Sequence, residues 1–246
     1  MIKIHYGKLT PTVFSATTSQ AGYPATNLGS ESILKPWRAA ALGAEDVALQ
    51  LPAVAMIQTF ALHDVNFAAA TIEKSVDGAV WVAVGAMTTY ADRHGRRRGV
   101  ITINTAGQKA VRFRIAAGAS TDGLAYWRAG AGYLFGSVVN VGAAVEYGYR
   151  VRTRRPRVAV EMVNGDVATA VTGANVDRIE LNFPRQDTES VDEIIQRASA
   201  GTCWMDMVRS NYPEQQWPVR CVDADIEETF SARNISANAI ALRERA

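Results

Sequence analysis

Cysteine is almost missing from this chain: 246 residues hold two, Cys203 and Cys221. Two thiols cannot build a disulfide framework, and the three histidines, His5, His63 and His94, stand too far apart to offer a Cys/His spacing for zinc. No metal or organic cofactor is expected. No run approaches the roughly 18 unbroken apolar residues of a membrane helix. The opening Met1-Ile2-Lys3-Ile4-His5-Tyr6-Gly7-Lys8 has neither an apolar h-region nor a small-residue cleavage site, so synthesis in a cytoplasm is expected. Lysine is scarce too, 5 against 21 arginines. What is present is ordinary globular composition, 48% apolar and 20% charged. The length suits one large domain or two modest ones.

Charge is segregated along the chain. The net of +2 hides three blocks: 5 basic and 6 acidic groups in residues 1–90, 13 and 3 in 91–157, and 8 and 15 in 158–246. The basic block contains Arg93, Arg96, Arg97 and Arg98, then Arg150, Arg152, Arg154, Arg155 and Arg157. On charge alone these read as a phosphate-binding patch. They lack the interleaved aromatics and the helix or sheet motif of a nucleic-acid module, and they look like loops or strand ends, so no nucleic-acid partner is expected. Arginine's planar fork suits carboxylates, which favours protein–protein interfaces.

Periodicity predicts a mainly β chain. Runs at Val47–Leu51, Ile57–His63, Thr71–Ser75, Val80–Val84, Gly99–Asn104, Ala110–Ile115 and Tyr133–Val139 are spaced by about ten residues, as in a sandwich or barrel. Asp77-Gly78 predicts a hairpin turn over Thr71–Val84, because glycine accepts the positive φ of a tight turn. A second series follows: Val158–Val163, an Asn164-Gly165 turn, Val167–Val171 and Asp177–Phe183. Ser190-Val191-Asp192-Glu193 has the form of a capping box, and Val191, Ile194, Ile195 and Ala198 follow at helical spacing up to Gly201. That predicts one amphipathic helix near 190–200. Thr202–Val208, Val219–Ala224 and Ile226–Phe230 read as closing strands.

Several motifs carry a resemblance. Ser75-Val76-Asp77-Gly78-Ala79-Val80-Trp81 has the S-x-D-G-x-x-W form of discoidin-type, galactose-binding-like jelly rolls. Tyr23-Pro24-Ala25-Thr26-Asn27-Leu28, Lys35-Pro36-Trp37-Arg38, Val111-Arg112-Phe113-Arg114-Ile115 and Tyr126-Trp127-Arg128 resemble the opening loop, the Trp and the later strands of such modules. Val47-Ala48-Leu49-Gln50-Leu51 departs from the family pattern, with Gln50 for Asp and Pro52 for Gly. The order of motifs, ending in Gly132-Tyr133-Leu134-Phe135-Gly136, also resembles distal-tail or baseplate proteins of tailed bacteriophages. The resemblance spans about residues 20–138. It implies a galactose-binding-like sandwich over 1–138, with Trp37 and Trp81 in its core, and a β-rich assembly domain over 139–246 carrying the helix. It further implies a virion tail structural protein, assembled in the host cytoplasm into a homo-oligomeric ring with other tail proteins, without membrane insertion.

Enzyme patterns fail on inspection. Gly130–Gly136 is one residue too long for a dinucleotide fingerprint and no helix pattern follows it. His63-Asp64 has no nucleophile elbow to complete a triad. Asp223, Asp225, Glu227 and Glu228 alternate with Val222, Ala224 and Ile226, which reads as a solvent- or partner-facing strand edge rather than a catalytic pair or calcium site. Cys203 and Cys221 read as buried small hydrophobes, and Trp204, with Met205 and Met207, as core or interface. The expectation is a non-enzymatic structural protein. Its ring contacts would join Arg152, Arg154, Arg155 or Arg157 of one copy to Asp223, Asp225, Glu227 or Glu228 of the next. The alternative expectation is a carbohydrate-binding module for host-surface adhesion, with a surface glycan as partner.

Overall fold

The computed structural model describes residues 2–30, 34–92, 94–141, 150–154, 157–161, 167–171, 176–184, 201–207, 216–230 and 236–244, with side chains at 3–30, 34–92, 94–140 and 201–206. The chain is mainly β. Its first half holds β1 (Ile2–Leu9), β2 (Val13–Ala16), β3 (Trp37–Arg38), β4 (Glu45–Val65), β5 (Ala69–Ser75), β6 (Val82–Thr88), β7 (Tyr90–Ala91), β8 (Arg97–Ile115) and β9 (Arg128–Val141), with a 3-10 turn at Ala25–Gly29. Then come β10 (Arg150–Arg154), β11 (Arg157–Glu161), β12 (Val167–Val171), β13 (Val176–Pro184), β14 (Cys203–Met207), β15 (Gln216–Phe230) and β16 (Ser236–Glu244). The capping-box helix and the Asn164-Gly165 turn lie outside the described residues.

Two long strands replace two expected pairs. The runs at 47–51 and 57–63 are both parts of β4, and those at 99–104 and 110–115 are both parts of β8. β4 pairs antiparallel with β8 along both halves, and the register slips between Gln50 and Ala55, where the exposed Pro52 withholds no ladder donor. On β8, Asn104 and Gly107 take positive φ (46° and 68°), a conformation those two residue types tolerate. Each strand thereby bends and serves both layers of a jelly-roll sandwich. In one layer the first half of β4 and the second half of β8 are flanked by β2, β5 and β6. In the other, their remaining halves join β9, β1 and β7.

Alternation fills the space between the layers. Val47, Leu49 and Leu51 point inward from β4, Val111, Phe113 and Ile115 from β8, and Ile72 from β5, all buried. Phe113 is the centre of an aromatic group, stacked on Phe60 (6.1 Å) and Phe67 (5.9 Å) and met edge-on by Trp37 (6.1 Å). Gly132 leaves room for this core, since a Cβ there would sit 3.1 Å from Leu49.

The sheet does not end at residue 138. β14 pairs antiparallel with β1, and the strand order β10-β13-β16-β15-β14-β1-β9-β4-β8-β5-β6 is continuous, while β11 and β12 form a separate hairpin. Arg150–Arg154, read from sequence as part of a connecting segment, is a strand paired with β13. β1, β2 and β16 were not expected.

The Asp77-Gly78 turn joins β5 to β6 as expected, with Gly78 at φ 85°. Asp77 Oδ1 accepts hydrogen bonds from the Ala79 and Val80 amides and from Ser75 Oγ, which hold its carboxyl down at about 2. Trp81 requires a correction. It is half-buried beside the edge strand β6, outside the core, with the Arg112 guanidinium 4.6 Å from its ring centre. The outward-facing Arg112 provides a cation for the ring face that the interior would have covered. Trp37, by contrast, is fully buried and its indole N–H donates to Thr18 O and Ser19 Oγ. Trp37→Ala is therefore expected to cost about 3–5 kcal/mol. Trp81→Ala is expected to cost only about 1 kcal/mol, and urea unfolding of the two variants measures the difference.

Candidate functional site

The sequence-selected charges do not assemble into a site within one chain. Arg152 and Arg154 sit on β10 opposite Arg178 and Val176, and Arg157 sits on β11 opposite Val171. Arg155 lies outside the described residues. Asp223, Glu227 and Glu228 lie on β15 opposite Ala241, Ala239 and Asn238, and Asp225 falls where that ladder slips. β13 and β16 separate β10 from β15. At about 4.8 Å per strand spacing the two sets stand roughly 14 Å apart.

The other basic cluster is absorbed locally. Asp92 accepts from the His94 and Arg96 amides and pairs with Arg98 (2.6 Å) and Arg96 (3.3 Å), while Arg97 Nε donates to Thr89 Oγ1. Arg112 and Arg114 bridge Asp46 and Glu73 across three strands on the outer face. These arginines brace a turn and a sheet face, Arg96, Arg98, Arg112 and Arg114 each beside a carboxylate and Arg97 on a threonine hydroxyl.

The loop end near β3 is arranged differently. Here Asn66 fastens three segments: its Nδ2 donates to Asp122 Oδ1 and Tyr126 O, its Oδ1 accepts from the Arg128 amide, and its carbonyl accepts from the Thr121 amide. Trp127 is buried, donating to Gly43 O (2.7 Å). Glu45 accepts from the Thr18 amide (3.0 Å), and Asn27 Nδ2 donates to Pro36 O. Backbone bonds from Gln20 N to Arg38 O and from Arg38 N to Tyr23 O fix the loop against β3. On this frame Arg38 is half-buried, its guanidinium carbon 3.7 Å from the Tyr23 ring centre and 5.1 Å from that of Tyr126. Its Nε is buried without a hydrogen-bond partner. Tyr23, Arg38 and Tyr126 form the candidate site: two aromatic surfaces and a planar donor fork on well-anchored loops, a combination suited to holding a polar ligand with apolar faces. Sequence reading quoted these residues in the Tyr-Pro, Trp-Arg and Tyr-Trp motifs without grouping them. The available signal was an aromatic next to, or one element away from, each chain-fixing Trp.

A second group of buried residues lies on the far face of β9 and β4. Ala61, Ala131, Tyr133, Phe135 and Trp204 form an apolar cluster, with Trp204 5.9 Å from Tyr133 and edge-on to His63 (6.5 Å). Trp204 belongs to β14, so this cluster seats the later part of the chain on the sandwich. His63 is buried beneath it, and the neighbouring Asp64 (φ 53°) pairs instead with Arg128, so the two make no acid–base dyad. Cys203 is also buried. Among the described residues no group of three or more His, Cys, Asp or Glu could hold a metal ion.

His5 of β1 donates to or accepts from Thr59 Oγ1 (2.9 Å) at this joint. Burial, and then the charge of Lys3, lowers its pKa to about 4. An unfolded histidine protonates near 6.5, so between those values the unfolded chain binds a proton that the folded one refuses. Stability is expected to fall by about 3 kcal/mol as pH drops from 6.5 to 4, with no contribution from His5 above that window. Asp206 on β14, opposite Lys3, is raised by burial and acts in the opposite sense as its carboxyl protonates. Urea midpoints at about pH 7 and pH 4 measure the net loss, which should be smaller in His5→Gln.

No protein-family model matches this sequence, and no curated protein matches it. Solved structures do. CBM32-3 from a family 31 glycoside hydrolase of Clostridium perfringens is 15% identical with a TM-score of 0.44, over 53% of this chain and 95% of that one. Chitosan-binding module 1 of a chitosanase/glucanase from Paenibacillus sp. IK-5 is 20% identical with a TM-score of 0.43, over 54% and 99%. The family 32 module of Clostridium perfringens NanJ, solved with galactose, is 13% identical with a TM-score of 0.41, over 54% and 98%.

Proposed function

We propose that this protein is a non-catalytic glycan-binding protein, in which the sandwich binds carbohydrate at its loop end and the later strands serve as its mount. The observation that supports this most is the Tyr23–Arg38–Tyr126 arrangement. Sugars combine C–H faces, which pack on aromatic rings, with hydroxyls and charged substituents, which need fixed donors. The site supplies both from segments pinned by Asn66, Trp37 and Trp127, so little ordering is required on binding. A non-catalytic role agrees with a buried His63 and with carboxylates at Asp46, Glu73, Asp64 and Asp92 that are engaged by arginines.

A second reading, a structural subunit of a phage tail tip, draws on the β1–β14 joint and on the opposite charges of residues 91–157 and 158–246. It would use the rigid joint to carry the sandwich on a ring of copies, with basic and acidic faces meeting between neighbours.

The two readings separate in one preparation of the full chain. Retention on a glycan array, lost in Tyr23→Ala with the thermal midpoint unchanged, is the outcome expected for glycan binding. Rings seen by electron microscopy at low salt, with no retention on any glycan, would replace it with the assembly reading.

A further inference from the structure

Arg38 differs from the other arginines of the sandwich in what meets its side chain. Arg96 and Arg98 pair with Asp92, Arg112 and Arg114 with Asp46 and Glu73, Arg128 with Asp64 and Asp122, and Arg97 donates to Thr89. Among the described residues Arg38 has no carboxylate in ion-pair reach. Its contacts are the Tyr23 and Tyr126 rings, and its Nε is buried with no acceptor. Ring quadrupoles stabilise the positive charge but accept none of the guanidinium N–H groups through their planes. The donors that remain lie along the edge of the fork. Parallel N–H groups in a plane match the two oxygens of a carboxylate, and a partly desolvated setting strengthens that contact. The adjacent Arg128, opposite Arg38 in the β3–β9 register, is neutralised by Asp64 and Asp122, so the unmatched charge is centred on Arg38.

We infer that Arg38 selects an acidic glycan, gripping the carboxylate of a uronic or sialic acid along its guanidinium edge while Tyr23 and Tyr126 flank the sugar ring. This rests on the glycan-binding reading and names its ligand class. The carboxylate meets the outer Nη groups, which no acceptor among the described residues engages, whereas the buried Nε lies out of a ligand's reach, and a neutral sugar offers those Nη groups no charged acceptor. Arg38→Lys keeps the charge and loses the fork, which makes it the informative substitution.

The test is titration of the full chain with oligogalacturonate, its methyl ester, sialyllactose and lactose. At least one of the two acids should bind about tenfold or more tighter than its neutral counterpart, and which acid does so identifies the sugar. Arg38→Lys and Arg38→Ala should bring that affinity down to the neutral level, whereas Tyr23→Ala should weaken acid and neutral ligands alike. The ester comparison uses the unaltered chain, so it decides even if a variant fails to fold. Equal binding of acid and ester, or acid binding that survives Arg38→Lys and vanishes only with salt, overturns the inference while leaving glycan binding in place. Retention of none of the four, on a broader array as well, overturns both.

Discussion

The sandwich depends on one antiparallel ladder, β4 against β8. Both strands are long enough to run through two layers, and every other strand of the sandwich pairs with one of them or with a strand that does. The ladder can turn the corner only where its register slips, at Pro52 on one strand and at Asn104 and Gly107 on the other. Phe113 then sits where both layers converge, and three aromatic rings close on it. The candidate site inherits its place from this ladder: β9 is aligned by β4, and β3 is aligned by β9 through Trp37↔Ala129 and Arg38↔Arg128.

Strand identity was legible wherever one face met the core and the other met water. Val47, Leu49 and Leu51 show that alternation, and so do Val111, Phe113 and Ile115 against Arg112 and Arg114. The stretch Thr59–Phe67 is buried throughout, because its far face lies under Trp204 and its neighbours, and period-2 reading loses its contrast there. Continuity was not legible. A proline or a glycine between two apolar runs reads locally as a stop, and only the partner strand reveals that the backbone continues through a bulge. β16 escaped notice because Ser236–Glu244 is rich in alanine, which has weak strand preference and acquires its role from the pairing on either side.

Trp81 shows why a motif does not fix a side chain's surroundings. The turn chemistry of Ser75, Asp77 and Gly78 is local and was correctly readable from the sequence. Whether the tryptophan that follows lies under the sheet or over it depends on the strand beside it, and there the outward Arg112 offers an alternative to burial. The joint behaves similarly. Lys3↔Asp206 and His5↔Trp204 join residues some two hundred positions apart, and nothing near either one announces the pairing. This joint ties the later strands to the sandwich through backbone bonds and a buried aromatic cluster.

Charge counting pointed away from the candidate site for a related reason. The strongly basic middle of the chain drew attention to Arg96–Arg98, yet Arg96 and Arg98 are ion-paired to Asp92 and Arg97 donates to Thr89 close by. Residues 1–90 are almost neutral and seemed electrostatically silent. Arg38 lies in that block. What distinguishes it is that, among the described residues, tyrosine rings and no carboxylate meet its guanidinium, a property of arrangement to which composition is blind. A cation surrounded by carboxylates is a structural brace whatever the local net charge. A cation held against tyrosine rings with an unmatched edge keeps its binding capacity for something outside the chain.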